Sequence, residues 1–350
     1  MPTLEALDER LLNALQADFP IVHAPFAAVG EPLGLSETEV IERIATLRER
    51  RVVRQLSAIF DTRSLGYQST LVAMRFAAEH LEAGAAVINE HPGVSHNYRR
   101  NHEFNLWFTL ATPPGSDIDA TLERLRELSG AQVMRKLQTL RLFKIGVKLD
   151  MTGELSVTRQ ESPDYTGIQR DFALRTPITE RDIRVIRAVQ DDLPLVPHPF
   201  EVCARAQGLT EAELFSGLED LHRRGHLRRV AAILHHRRAG YAANAMAVWC
   251  VPEDRAEALG RRMAEFAAVS HCYQRPVYED WRFNLFSMIH GRKVSDCEEV
   301  VDAIRETIGI DDYAVLYSTK EYKKTRVRYF TPELEAWERA HLHPEAEPVG

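Results

Sequence analysis

Cysteine is scarce and badly placed for metal or disulfide chemistry. The 350-residue chain has four, Cys203, Cys250, Cys272 and Cys297, with no CxxC pair and no zinc-ligand spacing. The chain opens MPTLEALDERLLNAL, which lacks the basic-then-apolar pattern of a secretory leader, so the thiols read as reduced and the protein as cytoplasmic. Long apolar runs are missing too. Nothing approaches the roughly 20 residues a membrane span needs, and no membrane association is expected. An excess of positive charge is also absent. The 44 Lys and Arg are outnumbered by 51 Asp and Glu, for a formal net charge of -7, which weighs against a dedicated nucleic-acid binder, whose phosphate contacts need a basic face. What is present is an ordinary globular composition, 45% apolar and 27% charged, in a chain long enough for two domains or more.

The dominant feature is an internal repeat. DFPIVHAPF at Asp18 and DLPLVPHPF at Asp192 are offset by 174 residues. The same offset aligns LSETEV at Leu35 with LTEAEL at Leu209, and Gly66-Tyr67 with Gly240-Tyr241. After small insertions VSHNYRR at Val94 meets VSHCYQR at Val269, FNLWF at Phe104 meets FNLFS at Phe283, and LQTLRLFK at Leu137 meets YSTKEYKK at Tyr317. A period this long means two whole modules. Between them, residues 151–176 are polar, without sustained periodicity, and read as a linker.

Each module has the same internal order. Leu4, Leu7, Leu11, Leu12 and Leu15 fall at helical spacing. A Pro-containing loop and a short helical segment at Phe26 to Val29 follow. Ser36 with Glu39, and Thr210 with Glu213, form capping boxes that open a third helix. VVRQLSAIFD and HLRRVAAILH read as the strands of a small wing, completing a winged helix-turn-helix. The remainder alternates strand, helix, strand, strand, helix, strand, with one strand hidden near Val94 to Tyr98, the order of a ferredoxin-like domain. The expected fold is therefore α+β: winged helix-turn-helix 1 at 1–66, ferredoxin-like domain 1 at 67–150, the linker, winged helix-turn-helix 2 at 177–240, ferredoxin-like domain 2 at 241–332, and a tail at 333–350.

A winged helix-turn-helix followed by a ferredoxin-like domain resembles the Lrp/AsnC regulators, and the resemblance covers both modules. A DNA-reading helix needs Arg, Lys, Asn or Gln near its start. Here those positions carry Glu37, Glu39 and Glu42, and Glu211 and Glu213. They suit helix capping on a solvated face, and functional DNA binding is not expected. The local motifs are more specific. FPIVHAPFAAVGEPLGLSETEV and VSHNYRRNHEFNLWFTL in the first module, with ILHHRRAGYAANAMAVW, VSHCYQRPVYEDWRFNLFSMIHG and STKEYKKTRVRYF in the second, resemble the two subunit types of siroheme decarboxylases, fused here into an internal pseudo-heterodimer. The resemblance implies an enzyme that removes the carboxyl groups of two acetate arms of siroheme, giving 12,18-didecarboxysiroheme for heme d1 or heme synthesis. It implies no organic cofactor, and the iron belongs to the substrate. Homo-oligomerisation stays open. A regulator of the Lrp type and a tetrapyrrole sensor without catalysis are the alternatives.

The residues suit that chemistry. A flat macrocycle with a rim of acids needs an apolar slot, cationic clamps and proton donors. The duplicated H-x-Y-x-R element offers the catalytic candidates twice, His96, Tyr98 and Arg100, then His271, Tyr273 and Arg275. In an extended segment these alternate residues share one face. Arg99, His102, His235, Arg237, Tyr278, Trp281, Lys323 and Lys324 are the candidates for substrate binding. Trp107, Trp249, Phe104 and Phe283 are further aromatics able to wall a ring, and Asn105 and Asn284 are expected to hold backbone. An axial ligand to the substrate iron would come from among His23, His198, His235, His236 and His290. The second module has the richer motif and is expected to carry the full site.

Overall fold

The computed structural model describes residues 5–145, 176–234 and 243–342. The expected linker lies outside the described residues except for Thr176, as do His235, His236 and Arg237. No described helix is long and apolar enough to cross a membrane. The chain divides into two compact units, and each draws on both repeats.

The first unit holds the helical segments. Repeat 1 supplies α1 (Ala6–Ala17), α2 (Pro25–Gly30), α3 (Glu37–Glu49) and β1 (Val53–Phe60). Repeat 2 supplies α6 (Glu180–Val189), α7 (Pro199–Ala206), α8 (Glu211–Arg223) and β7 (Leu227–Leu234). Both expected capping boxes form. Ser36 N donates to Glu39 at 2.8 Å, and Thr210 N donates to Glu213 at 2.8 Å. Leu11, Leu12 and Leu15 of α1 and Val40, Ile44 and Leu47 of α3 are buried, each worth about 1.5–3 kcal/mol relative to exposure. The wing strand of each repeat is where the sequence puts it, but its partner is not a hairpin neighbour. β1 pairs antiparallel with β7, and the register sets Ser57 opposite Ala231, its own equivalent in the repeat. The two strands thus satisfy each other across a pseudo-twofold axis. Phe19 N donates to Val230 O at 2.7 Å and Leu193 N to Leu56 O at 2.8 Å, one bond the image of the other.

The second unit contains two βαββαβ domains. Repeat 1 forms β2 (Gln68–Arg75), α4 (Leu81–Glu90), β3 (Val94–Arg100), β4 (Leu106–Thr112), α5 (Ile118–Ser129) and β5 (Val133–Leu137), followed by β6 (Arg141–Ile145). Repeat 2 forms β8 (Ala243–Trp249), α9 (Ala256–Ala264), β9 (Val269–Gln274), β10 (Leu285–Gly291), α10 (Val294–Ile308) and β11 (Tyr313–Lys324). Gly130 and Gly309 close α5 and α10 in the left-handed region, at φ of 71° and 67°, as glycine at a helix end commonly does. Nine strands run in the order β5-β2-β4-β3-β11-β8-β10-β9-β6. Its two ends, β5 and β6, are separated by only three residues of chain, so the sheet closes on itself. β11 bridges the repeats: its first part pairs with β8 and its second with β3. The β5–β6 pair bridges them the other way, on β2 and β9.

The helices cover one face of this sheet, with a separate core for each repeat. The other face encloses a shared third core that includes Phe104, Trp107, Trp281, Phe283, Phe286 and Leu316. Within the span expected as a tail, Pro332–His341 forms helix α11, and its Trp337 is buried in the helix-side core of repeat 1.

Candidate active site

Strand register, not motif spacing, decides which side chains meet. Asn97 on β3 reaches the helix side, donating to Ala85 O and to Asn89. Cys272 on β9 does the same toward Gly260 O, and Gln274 donates to Glu253 at 2.8 Å. The alternate residues of both strands therefore face the shared interior. His96, Tyr98 and Arg100 line up on β3, with the imidazole 6.2 Å from the phenol ring and the guanidinium 5.9 Å from it. His271, Tyr273 and Arg275 line up on β9 at 6.1 Å and 4.6 Å. Tyr98 lies opposite Trp107, and Tyr273 opposite Phe286, two members of the shared core.

Each histidine is oriented by the preceding serine. His96 Nδ1 lies 3.0 Å from Ser95 Oγ and His271 Nδ1 lies 2.8 Å from Ser270 Oγ. Ser270 Oγ also donates to Met288 O at 3.3 Å. It therefore accepts from Nδ1–H of His271. Both arginines are buried struts. Arg100 Nη1 donates to Leu316 O at 2.8 Å and Arg275 Nη1 to Leu137 O, each on the last strand of the other repeat. Burial lowers the Arg100 pKa to about 10, which leaves it cationic at neutral pH. This symmetry corrects the sequence alignment by one residue: Leu137 corresponds to Leu316, not to Tyr317. A one-residue slip reverses every side chain between faces, and the corrected register changes which neighbours the two triples are given.

Those neighbours differ. Beside β3, Glu321 pairs with Tyr98 and Lys324 with His96. Beside β9, the equivalent residues are Leu142, paired with Tyr273, and Ile145, near His271. On the next strand Thr109 sits opposite His96, whereas Met288 sits opposite His271. His290 follows on the same side of β10, opposite Asn244. On the strand bridging from the other repeat, the first triple thus meets charged groups and the second aliphatic ones, while His290 and Asn244 lie one step further along on the second triple's side.

The remaining candidates have varied placements. Lys323 is turned to the helix side, where its ammonium donates to Asn89 O at 2.7 Å and His91 O at 3.1 Å, capping the end of α4. Its equivalent Lys144 caps the segment after α9 through Phe266 O. Lys323 is accordingly a helix cap and not a clamp on the interior. Tyr278 gives its hydroxyl to Lys136 O at 2.7 Å, and Trp281 is packed in the shared core with its indole N–H on Phe283 O, so both fasten the loop 276–282. Phe104, Trp107 and Phe283 are core as well, and Trp249 lies in the helix-side core of repeat 2. Asn105 and Asn284 each bracket backbone, at Phe76 and Val251. His23 and His198 belong to the first unit, with rings stacked 3.9 Å apart.

Arg99 and His102 contribute to a cavity of about 500 Å³ lined by residues 99–102, Asn105, Thr319 and Lys320. Burial lowers the His102 pKa, and its Nδ1 accepts from Phe104 N at 3.1 Å. Sequence reasoning missed Asn244, Met288, Leu142, Ile145 and Glu321. Their relevance comes from cross-strand pairing between repeats, for which a single strand carries no local signal.

A helix-turn-helix segment and a βαββαβ domain, each present twice, define the AsnC-like class. Residues 64–144 and 238–323 match the AsnC-like ligand binding domain. Residues 8–54 and 182–228 match the siroheme decarboxylase NirDL-like HTH domain. The chain is 41% identical to a siroheme decarboxylase of Hydrogenobacter thermophilus across 94% of its own length and 96% of that protein's. It is 45% identical, over 42% of its length, to nearly all (97%) of a siroheme decarboxylase beta subunit of Methanosarcina barkeri. The crystal structure of siroheme decarboxylase NirDL in co-complex with an iron-uroporphyrin III analogue superposes with a TM-score of 0.74 at 35% identity, covering 97% of this chain and 100% of that one. The chain belongs to the siroheme decarboxylase family.

Proposed function

We propose that this chain decarboxylates siroheme, converting two acetate arms to methyl groups, and that the interior face bearing the two His-x-Tyr-x-Arg triples is where it does so. The observation that carries this reading is the geometry of those triples. Imidazole, phenol and guanidinium project together, twice, around one aromatic-walled interior. A relative that binds an iron-uroporphyrin analogue supports a macrocycle as the occupant.

Each turnover breaks the bond between an arm's methylene carbon and its carboxylate. Carbon dioxide leaves, the electron pair passes into the substrate's conjugated ring, and one proton must reach the methylene carbon. The protein supplies that proton and the setting. His271, held through Nδ1 by Ser270, and the neighbouring Tyr273 are the donors in this reading. Leu142, Ile145, Phe286 and Met288 around them strip water from a carboxylate placed there, which favours its departure as a neutral gas. On the first repeat's side, Arg100 and Lys324 offer positive charge to the acids that are kept. No organic cofactor is required, because ring and iron both belong to the substrate.

Anaerobic incubation with siroheme, followed by mass analysis of the pigment, tests this. The expected result is loss of two carboxyl groups. Spectral binding with unchanged mass would instead support a carrier or sensor. Tight, sequence-specific DNA binding without pigment affinity would support a regulator.

A further inference from the structure

The cavity beside Arg99 borders a loop that is shorter in this repeat than in the other. Three residues join Arg100 to Phe104, but seven join Arg275 to Phe283. The longer loop folds over onto β5, where Tyr278 bonds Lys136 O and Asp280 bonds Arg135 at 2.7 Å. The shorter loop instead turns back at Asn101, which accepts from Tyr317 N, and the space beside it is lined by two arginines and a lysine. Lys320 shares its charge with Glu82 at 2.6 Å, while His102, its pKa lowered by burial, adds a hydrogen-bonding edge. Arg100 is only 5% exposed, and its Nε is buried with no acceptor among the described residues. Arg99 and Lys320 lie on the helix side of the sheet and Arg100 on the interior side, and the cavity sits at the end of β3 where the two faces meet.

We propose that this cavity seats one acid-bearing corner of the macrocycle and thereby fixes the ring's rotation, so that Arg99 is a specificity-determining residue that selects which arms react. The proposal rests on the decarboxylase reading. A ring with acid arms on every side can enter an apolar slot in several rotations. With Arg99 at this position and Gln274 at its equivalent, the recess gives one rotation more charge-assisted hydrogen bonds than the others. The duplicated triples alone could not break that degeneracy.

Arg99 is exposed, so its replacement should leave folding intact, which a matching thermal melt verifies. With siroheme, the wild type is expected to give a single decarboxylated isomer. Arg99→Ala should give several isomers, resolved by chromatography and NMR, with KM raised about 10-fold and kcat changed less than about 3-fold. Arg99→Lys should restore part of the selectivity, and Arg99→Glu should scramble it further. A single isomer at unchanged KM in Arg99→Ala overturns the proposal. If the wild type leaves siroheme unreacted, the decarboxylase reading fails instead, and the cavity is judged by spectroscopic titration with iron uroporphyrin. Weaker binding by Arg99→Glu than by wild type upholds it, and equal binding sinks it.

Discussion

Repeat 1 and repeat 2 of the second unit share a backbone plan but differ in what they place around it. Both keep the buried arginine strut, the asparagine that brackets a strand end, and the lysine that caps a helix. These groups satisfy backbone carbonyls and amides that would otherwise be buried unpaired, so any copy of the fold needs them. The neighbours of the two histidines satisfy no such requirement, and there the copies part: Glu321 and Lys324 on one side, Leu142 and Ile145 on the other. The shared groups are those the fold requires, and the differing ones are those it leaves free to vary. The arginines of the two triples have a structural duty that accounts for their presence in both halves. The histidines and tyrosines are held in place by serine and ring contacts on the interior, which leaves them the better candidates for proton transfer.

The largest effect should come from treating the two histidines alike. His271→Ala is expected to lower kcat on siroheme by about 10²–10⁴-fold, the usual contribution of a positioned proton donor. His96→Ala should cost about 10-fold or less. Single-turnover measurement of pigment mass would compare them directly. Equal losses would mean that the aliphatic and charged settings are interchangeable, and the division of labour between repeats would be abandoned. The struts should behave in the opposite way. Arg100→Ala and Arg275→Ala each orphan a buried carbonyl and leave a void, costing about 3 kcal/mol by urea unfolding, with nearly equal values. A large inequality would show that the pseudo-symmetry of the bonds to Leu316 and Leu137 is not energetic.

Much of this architecture is legible in the sequence because it is local. The capping boxes at Ser36 and Thr210 form as read, and the alternation of H-x-Y-x-R puts three groups on one face once the segment is a strand. What escapes is whatever depends on partners distant in the chain. The wing strands carry the right residues but no mark saying that β1 pairs with β7. Leu137 and Tyr317 align plausibly by letter, and only the ladders on β2 and β8 show that Leu316 is the true counterpart. Lys323 and Lys324 look like one basic run, yet β11 shifts register between Glu321 and Lys323, and Lys323 turns to α4. The helix at Pro332–His341 reads as tail because one tryptophan gives no periodicity, although Trp337 completes a core.

The smallest expected effect concerns a position where the repeats exchange a histidine for a phenylalanine. His91 and Phe266 end equivalent helices, and each offers its carbonyl to the matching lysine. His91 is 1% exposed, stands 4.2 Å from the Trp337 ring and accepts from Gly93 N at 2.9 Å. Burial, with Lys323 and His341 nearby, lowers its pKa to about 3. An unfolded histidine takes up a proton as pH falls through about 6.5, whereas folded His91 stays neutral until about 3. The associated stability is fully present above pH 6.5 and is lost progressively as pH falls toward 3, at up to about 1.4 kcal/mol per unit. His91→Phe makes repeat 1 resemble repeat 2 at this point and should remove that slope. Between pH 7 and pH 5 the wild type should lose about 2 kcal/mol more than the variant, read from urea midpoints at the two pH values. Parallel pH curves would mean that His91 is protonated in the fold, and that Trp337 does not seal it from water as the packing requires.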